Sequence, residues 1–193
     1  MQKIVLVLIL ILLPQVSFAG FFDPNPQENF KEADYLIQVH RYLAADKLIN
    51  DVIVFCNKKD DEPCLVDAYY YFGKLLTVAY SDSNKGHKIL SYVEKDITTD
   101  NANQKGIEYY NKALDLAIKN NMNDRISSLN FRIALEQFNY LNDLTSACES
   151  LDKSLFYNLA YLKEHPDAKI ILDPGYNSYK EYITEIKKRI ACK

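Results

Sequence analysis

The chain has 193 residues, 48% hydrophobic and 25% charged, with a formal net charge of −3, the balance of a globular protein with a sizeable core. That charge leaves no electrostatic footprint for nucleic acid, so none is expected as a partner. Five glycines against fifteen tyrosines argue against phosphate-cradling loops and tight β-turns.

Residues 1–19 read as a signal peptide. Lys3 supplies the positive start and Ile4 to Leu13 an unbroken apolar run, which Pro14 ends. The run has signal-peptide length and is short for a membrane span, although an uncleaved anchor is the alternative. Ser17 and Ala19 are the small residues a signal peptidase reads, which places cleavage between Ala19 and Gly20. The expectation is a periplasmic or secreted protein. No second long apolar run follows, so no membrane contact is expected of the mature form. Export gives meaning to the four cysteines, Cys56, Cys64, Cys148 and Cys192. An even count in an oxidising compartment predicts two disulfides, with three possible pairings.

Residues 20–26 form a linker, because each X-Pro step in Phe21 to Pro26 disfavours helix before it. A single α-helical domain is predicted over 27–193. Its first helix runs from about Gln27 to Arg41 with Phe30, Ala33 and Ile37 inward. The second runs from Leu43 to Phe55 with Ala44, Leu48, Val52 and Phe55 inward. Val52 to Phe55 is β-branched enough for a strand, but no partner strand is evident. Pro63 sits where a helix start needs no N–H. The helix Cys64–Tyr80 carries Leu65, Tyr69, Phe72, Leu75, Leu76 and Ala79. Gly73 costs about 1 kcal/mol in a helix interior, which predicts close approach of another helix there. A shorter helix, about 85–97, has Ile89, Tyr92, Val93 and Ile97 on one side. Asn101-x-x-Gln104 reads as a capping box for the helix 104–120, whose face is Ile107, Tyr110, Leu114 and Ala117.

Residues 125–162 form a helical hairpin. Phe131, Ala134, Leu135, Phe138 and Leu141 recur at helical spacing in its first arm. Leu144, Ala147, Cys148, Leu151, Leu155, Leu159 and Leu162 do so in its second. Asn142 or Asp143 caps the second arm. After a loop with the turn signal Asp173-Pro174-Gly175, Ser178-x-x-Glu181 caps a last helix that carries Tyr179, Tyr182, Ile183, Ile186 and Ile190.

Antiparallel helix pairs without strands predict an all-α repeat. Phe131, Ala134-Leu135, Phe138, Ala147 and Leu151 resemble the tetratricopeptide signature. Tyr69, Phe72-Gly73 and Leu76 are similar to its first-helix half, and Lys105-Gly106, Tyr110 and Ala113 to its second-helix half. Ser154 stands where the signature has alanine, and its tryptophan is absent. The helix 85–97 is then an insertion inside the second repeat, although Lys85-Gly86 echoes Lys105-Gly106 and leaves a different repeat phase open. The resemblance implies a short solenoid with a C-terminal capping helix and a protein-binding role. Exported bacterial repeats of this type sometimes carry disulfides. It also implies a groove lined by first helices. Its residues in the second repeat would be Asp67, Tyr70 and Lys74, and in the third Arg132, Glu136 and Tyr140.

The disulfides are predicted as Cys56–Cys64, closing a helix end onto the next helix start, and Cys148–Cys192. Cys148 lies 17 residues before His165 and Cys192 lies 16 after Tyr176. Equal travel along antiparallel helices brings both to one level.

No metal or cofactor is expected. His40, His87 and His165 are scattered and lack the i, i+4 partner of a helical zinc site. There is no nucleophile elbow. Glu149-Ser150 resembles the Glu-Ser pair of lytic transglycosylases, but the accompanying glycine-rich segment is missing. The sequence therefore points to a non-enzymatic scaffold that binds a protein. An immunity protein against a periplasm-acting toxin is one form and an envelope-assembly adaptor another; a cell-wall enzyme using Glu149 is the alternative of a different class.

Overall fold

The computed structural model describes residues 23–94, 96–169, 172 and 175–192. The expected signal peptide with its expected cleavage site, residues 20–22 of the expected linker and Asp173-Pro174 lie outside the described residues. Among those described, no helix is long and apolar enough to cross a membrane.

The described chain is all-α, with helices α1 (Pro26–Gln38), α2 (Tyr42–Lys59), α3 (Glu62–Ser81), α4 (Gly86–Val93), α5 (Ala102–Lys119), α6 (Asn123–Asn139), α7 (Leu144–Glu164) and α8 (Tyr179–Arg189). Polar caps start four of them. Asn25, Asp61, Asp143 and Ser178 each accept a bond from a backbone N–H of the first turn, a contact that orphan N–H groups need. The turns between helices use His40, Asp60, Asn121 and Asn142 in the left-handed region, so Asn142 makes the turn and Asp143 the cap. Val52 to Phe55 is helix, as expected despite its β-branched residues.

Asn101 does not cap α5. Its side chain instead accepts from the N–H of Thr98 and donates to the carbonyl of Asp96, because the loop before α5 competes for it. At α8 the serine cap forms, but the Glu181 carboxylate accepts from the N–H of Asn177 rather than that of Ser178.

The helices pack in neighbouring pairs, α1 with α2, α3 with α5 and α6 with α7, and α8 closes the far end against α7. This is the layout of a helical-repeat solenoid. The short α4 lies against α2 and α3, outside the α3–α5 pairing. Within α4, Ile89 and Val93 pack against the core as expected, but Tyr92 is exposed and Leu90 is buried in its place. The helix stops at Val93, and Ile97 is buried from the loop beyond it.

The α1–α2–α3 core joins Ala33, Leu36, Ile37, Tyr42, Ile49, Phe72, Leu75 and Leu76. Each large apolar side chain buried there contributes about 1.5–3 kcal/mol. Tyr42 is buried and donates to Asp82 at 2.9 Å, tying the start of α2 to the end of α3. The Asp82 carboxyl is held at about 2, first by the backbone N–H of Lys85 and also by Tyr42.

Gly73 faces α5 as expected. A Cβ there would lie 2.8 Å from the carbonyl oxygen of Gly106 and from the Tyr110 ring. Gly106 answers from the other helix, so two backbones meet where any side chain would separate them. The hairpin α6–α7 closes differently. Leu144, Leu159, Phe138 and Leu141, expected inward, are exposed. The buried strip of α7 keeps the expected Ala147 and Leu151 and adds Ser150, Ser154 and Asn158. Ser154 donates to the carbonyl of Ser127 at 2.8 Å, and Ser127 donates to that of Ser154 at 2.9 Å.

The cysteines pair as Cys56–Cys64 and Cys148–Cys192, with Cα–Cα distances of 5.8 and 5.7 Å, inside the usual range. The first fastens the end of α2 to the start of α3. The second fastens the segment after α8 to α7.

Candidate functional site

The three consecutive tyrosines of α3 organise the face that α1, α3 and α6 share. Consecutive helical residues point about 100° apart, and each ring finds a different neighbour. Tyr69 lies against Tyr109 of α5, Tyr70 against Tyr110, and Tyr71 stacks on Phe30 of α1 with centroids 4.9 Å apart. All three stay partly exposed. They are seam residues whose edges reach the surface, and two of them reach a groove.

That groove has two adjoining hollows. One, of about 280 Å³, lies between α1, α3 and α6 and is lined by Phe30, Lys31, Asp67, Tyr70, Tyr71 and Arg125 among others. The second, of about 470 Å³, continues toward α7 and α8 and includes Arg132, Asn158, Tyr161, Lys169 and Tyr179. Tyr70 and Arg125 border both. Both volumes fall near or within the usual range for ligand clefts.

Arg125 is gripped. Its Nε donates to Asp67 Oδ1 at 2.6 Å, and its two terminal nitrogens reach Asp67 Oδ2 at 3.2 Å and Asp124 at 3.1 Å. Such a forked pair fixes both side chains and bridges α3 to α6. Lys74, on the next turns of α3, is paired with Asp34 of α1. Arg132 makes a single longer bond, from Nε to the Tyr70 hydroxyl at 3.3 Å. The phenol of Tyr71 is raised above its ordinary range, chiefly by burial and then by the Asp34 carboxylate.

The expected groove residues are thus distributed unevenly. Asp67, Tyr70 and Arg132 line the groove. Lys74 braces α3 against α1. Glu136 is buried and accepts from the Asn103 amide at 2.9 Å, so its carboxylate lies in the α5–α6 seam rather than on the groove surface. Burial raises its pKa, an effect that the Asn103 bond opposes. Tyr140 sits just past α6 and is exposed, with its hydroxyl against Ser81 at the end of α3, away from the two hollows.

Sequence reasoning missed Arg125, Tyr71 and the α1 contribution, Phe30 and Lys31. Arg125 stands seven residues before Arg132 on α6, a spacing that repeats on one helix face, and this signal could have found it. Phe30 was recognised only as core. Asn158 gave no signal, since an asparagine in a leucine-rich stripe reads as solvent-facing. Glu149 is exposed on α7, while Ser150 is buried and donates to Gln137 at 2.9 Å.

No family model matches the chain, and no curated protein or solved structure is significantly similar to it.

Proposed function

We propose that this chain is an exported helical-repeat protein of tetratricopeptide type that binds a protein partner along the groove of α1, α3 and α6. The observation that carries the reading is the groove itself: first helices of three successive pairs contribute aromatic rings and charged side chains to one concave strip. Aromatic and arginine side chains are the types that dominate protein-binding hot spots. Two disulfides support an oxidising compartment, in keeping with the signal-peptide reading of residues 1–19.

Several features support binding over catalysis. In the first hollow Arg125 and Asp67 are engaged with one another, which suits recognition. Glu149 is exposed on α7 and lines neither hollow. Neutralising a toxin and assisting envelope assembly are both forms of the same binding role.

The test is the double substitution Tyr70→Ala with Arg132→Ala, compared with wild type for partner capture from periplasmic extract. Capture should weaken at least tenfold, about 1.4 kcal/mol, with the circular dichroism spectrum unchanged. Normal capture by this variant, together with loss on substituting exposed residues of α2, α5 or α7, would overturn the groove assignment.

A further inference from the structure

We propose that the hollow between α1, α3 and α6 is an anchor site for one aromatic side chain of a bound polypeptide, which packs against the rings of Tyr70 and Tyr71 and whose main-chain carbonyl accepts from the Tyr71 hydroxyl. The proposal rests on the protein-binding reading above and names the class of residue that the partner places there.

The first observation is the size and lining of the hollow. A dry cavity of about 150 Å³ holds a benzene ring, so the space here, about 280 Å³, takes one aromatic side chain with its stem. Val66 and Leu129, at 0% and 1% exposure, give it an apolar base. The rings of Tyr70 and Tyr71 stand at 84° with centroids 5.2 Å apart and so form a corner. Rings favour edge-to-face and offset contacts, which a third ring entering the corner can continue. The inner charges are already matched, Arg125 with Asp67 at 2.6 Å and with Asp124 at 3.1 Å. A charged side chain entering beside them loses its water without gaining a partner, a loss that a ring does not suffer. Lys31 pairs with no carboxylate among the described residues, but it is exposed and keeps its hydration.

The second observation is the Tyr71 hydroxyl. Among the described residues it makes no hydrogen bond, whereas the Tyr70 hydroxyl accepts from Arg132. It is also open to solvent, since the buried side-chain polar atoms left unbonded among the described residues are Asn103 Oδ1 and Asn158 Oδ1. Burial of the ring, and then the Asp34 carboxylate, keep the phenol protonated. The hollow is thus lined by a residue with a donor to give, and a peptide carbonyl is an acceptor that any anchor residue carries.

The test titrates isotope-labelled protein with N-acetyl-phenylalanine methylamide, following the Tyr71 ring signals and the Val66 and Leu129 methyl signals by NMR. The N-acetyl methylamides of alanine, leucine, glutamate and lysine serve as the comparison probes. With the phenylalanine probe all of these signals should move on one saturating curve, with half-saturation on the order of 1 mM. The alanine, glutamate and lysine probes should bind at least tenfold more weakly, and the leucine probe about threefold more weakly. Ser128→Trp, at an exposed position of the lining, should fill the hollow and weaken the phenylalanine probe at least tenfold with the circular dichroism spectrum unchanged. Tyr71→Phe keeps the ring and removes the donor, and should weaken the same probe about fivefold. Unchanged affinity in either variant would overturn the anchor site. So would leucine or alanine binding as tightly as phenylalanine, a charged probe binding more tightly, or no response up to about 30 mM. No probe response, with partner capture still lost in the variant carrying Tyr70→Ala and Arg132→Ala, would sink the anchor site and leave the groove standing. A selective phenylalanine response with capture confined to the convex face would keep the anchor site and remove the groove.

Discussion

The α3–α5 seam and the α6–α7 seam bring two helices together by opposite chemistry. At the first, Gly73 and Gly106 remove side chains, and the backbones meet against the Tyr110 ring. At the second, small polar residues stay and bond reciprocally to the facing backbone, Ser127 to Ser154 and Ser154 to Ser127, with the Tyr179 hydroxyl of α8 joining Ser154 at 2.7 Å. The glycine seam is intolerant of any added atom. The serine seam depends on hydrogen bonds that must all be made, and it leaves polar groups such as Asn158 inside the structure.

Substitutions at the two seams should therefore fail in different ways. Gly73→Val places atoms against a carbonyl oxygen of the facing helix, which a side-chain rotation cannot move aside. The expected loss is about 3 kcal/mol, read as a lower urea midpoint. A loss under about 1 kcal/mol would mean that the seam can open. On the serine side, the fold relies on a covalent fastening as well. Replacing both Cys148 and Cys192 with serine should cost roughly 2–3 kcal/mol. The loss should release α8 first, visible as faster amide exchange in α8 than in α3.

The hydrogen-bonded nature of the serine seam is tested by a cycle. Ser154→Ala and Ser127→Ala should each cost about 1–2 kcal/mol, because each leaves a buried carbonyl without its hydroxyl donor. The double variant should cost clearly less than the sum of the two. Additive losses would show that the two bonds are independent.

The smallest effect is expected beside the glycine seam, at the α2–α4 contact. Burial, and then the neighbouring Glu94 carboxylate, push Asp46 up to about 6, while the Asn50 bond opposes them. A folded-state pKa above the ordinary 3.8 means that the folded protein holds this proton more tightly. Its contribution is present below about pH 4 and is lost as pH rises through 6. Asp46→Asn should thus raise the Tm at pH 7.5 and leave it nearly unchanged at pH 3.5. A higher Tm for wild type at pH 7.5 would contradict the assignment.

Legibility in the sequence followed the same division. The glycine seam announced itself, since Gly73 in a helix interior requires a reason, although its partner Gly106 had to be seen to be believed necessary. Helix starts were readable where their chemistry is local, as at Pro63 and at the pair Asn142 and Asp143. The Cys148–Cys192 pairing was readable from equal path lengths on antiparallel helices. The buried strip of α7 was legible only at Ala147 and Leu151, and not at Ser150, Ser154 and Asn158. Its leucine stripe is wider than the face α6 can cover, and what decides the covered part is how close Ser127 lets α6 come. Glu136 was misplaced for a related reason. A residue four positions after Arg132 shares its helix face by spacing, but Asn103, which draws the carboxylate away, belongs to another helix. Asn101 failed as a cap because the preceding loop offered it other partners, which helix spacing does not reveal.

The central claim is that a partner lies along the strip where α1, α3 and α6 meet. Photo-cross-linking tests it most directly. A photoreactive phenylalanine analogue is placed singly at Tyr70 or Tyr71 in the groove, and at Val54, Ile118 or Phe156, which are 68%, 48% and 66% exposed on α2, α5 and α7. The account predicts one discrete adduct shared by the two groove positions, competed away by unlabelled wild-type protein, with none at the other three. A competed adduct at Val54, Ile118 or Phe156, with Tyr70 and Tyr71 silent, would contradict it.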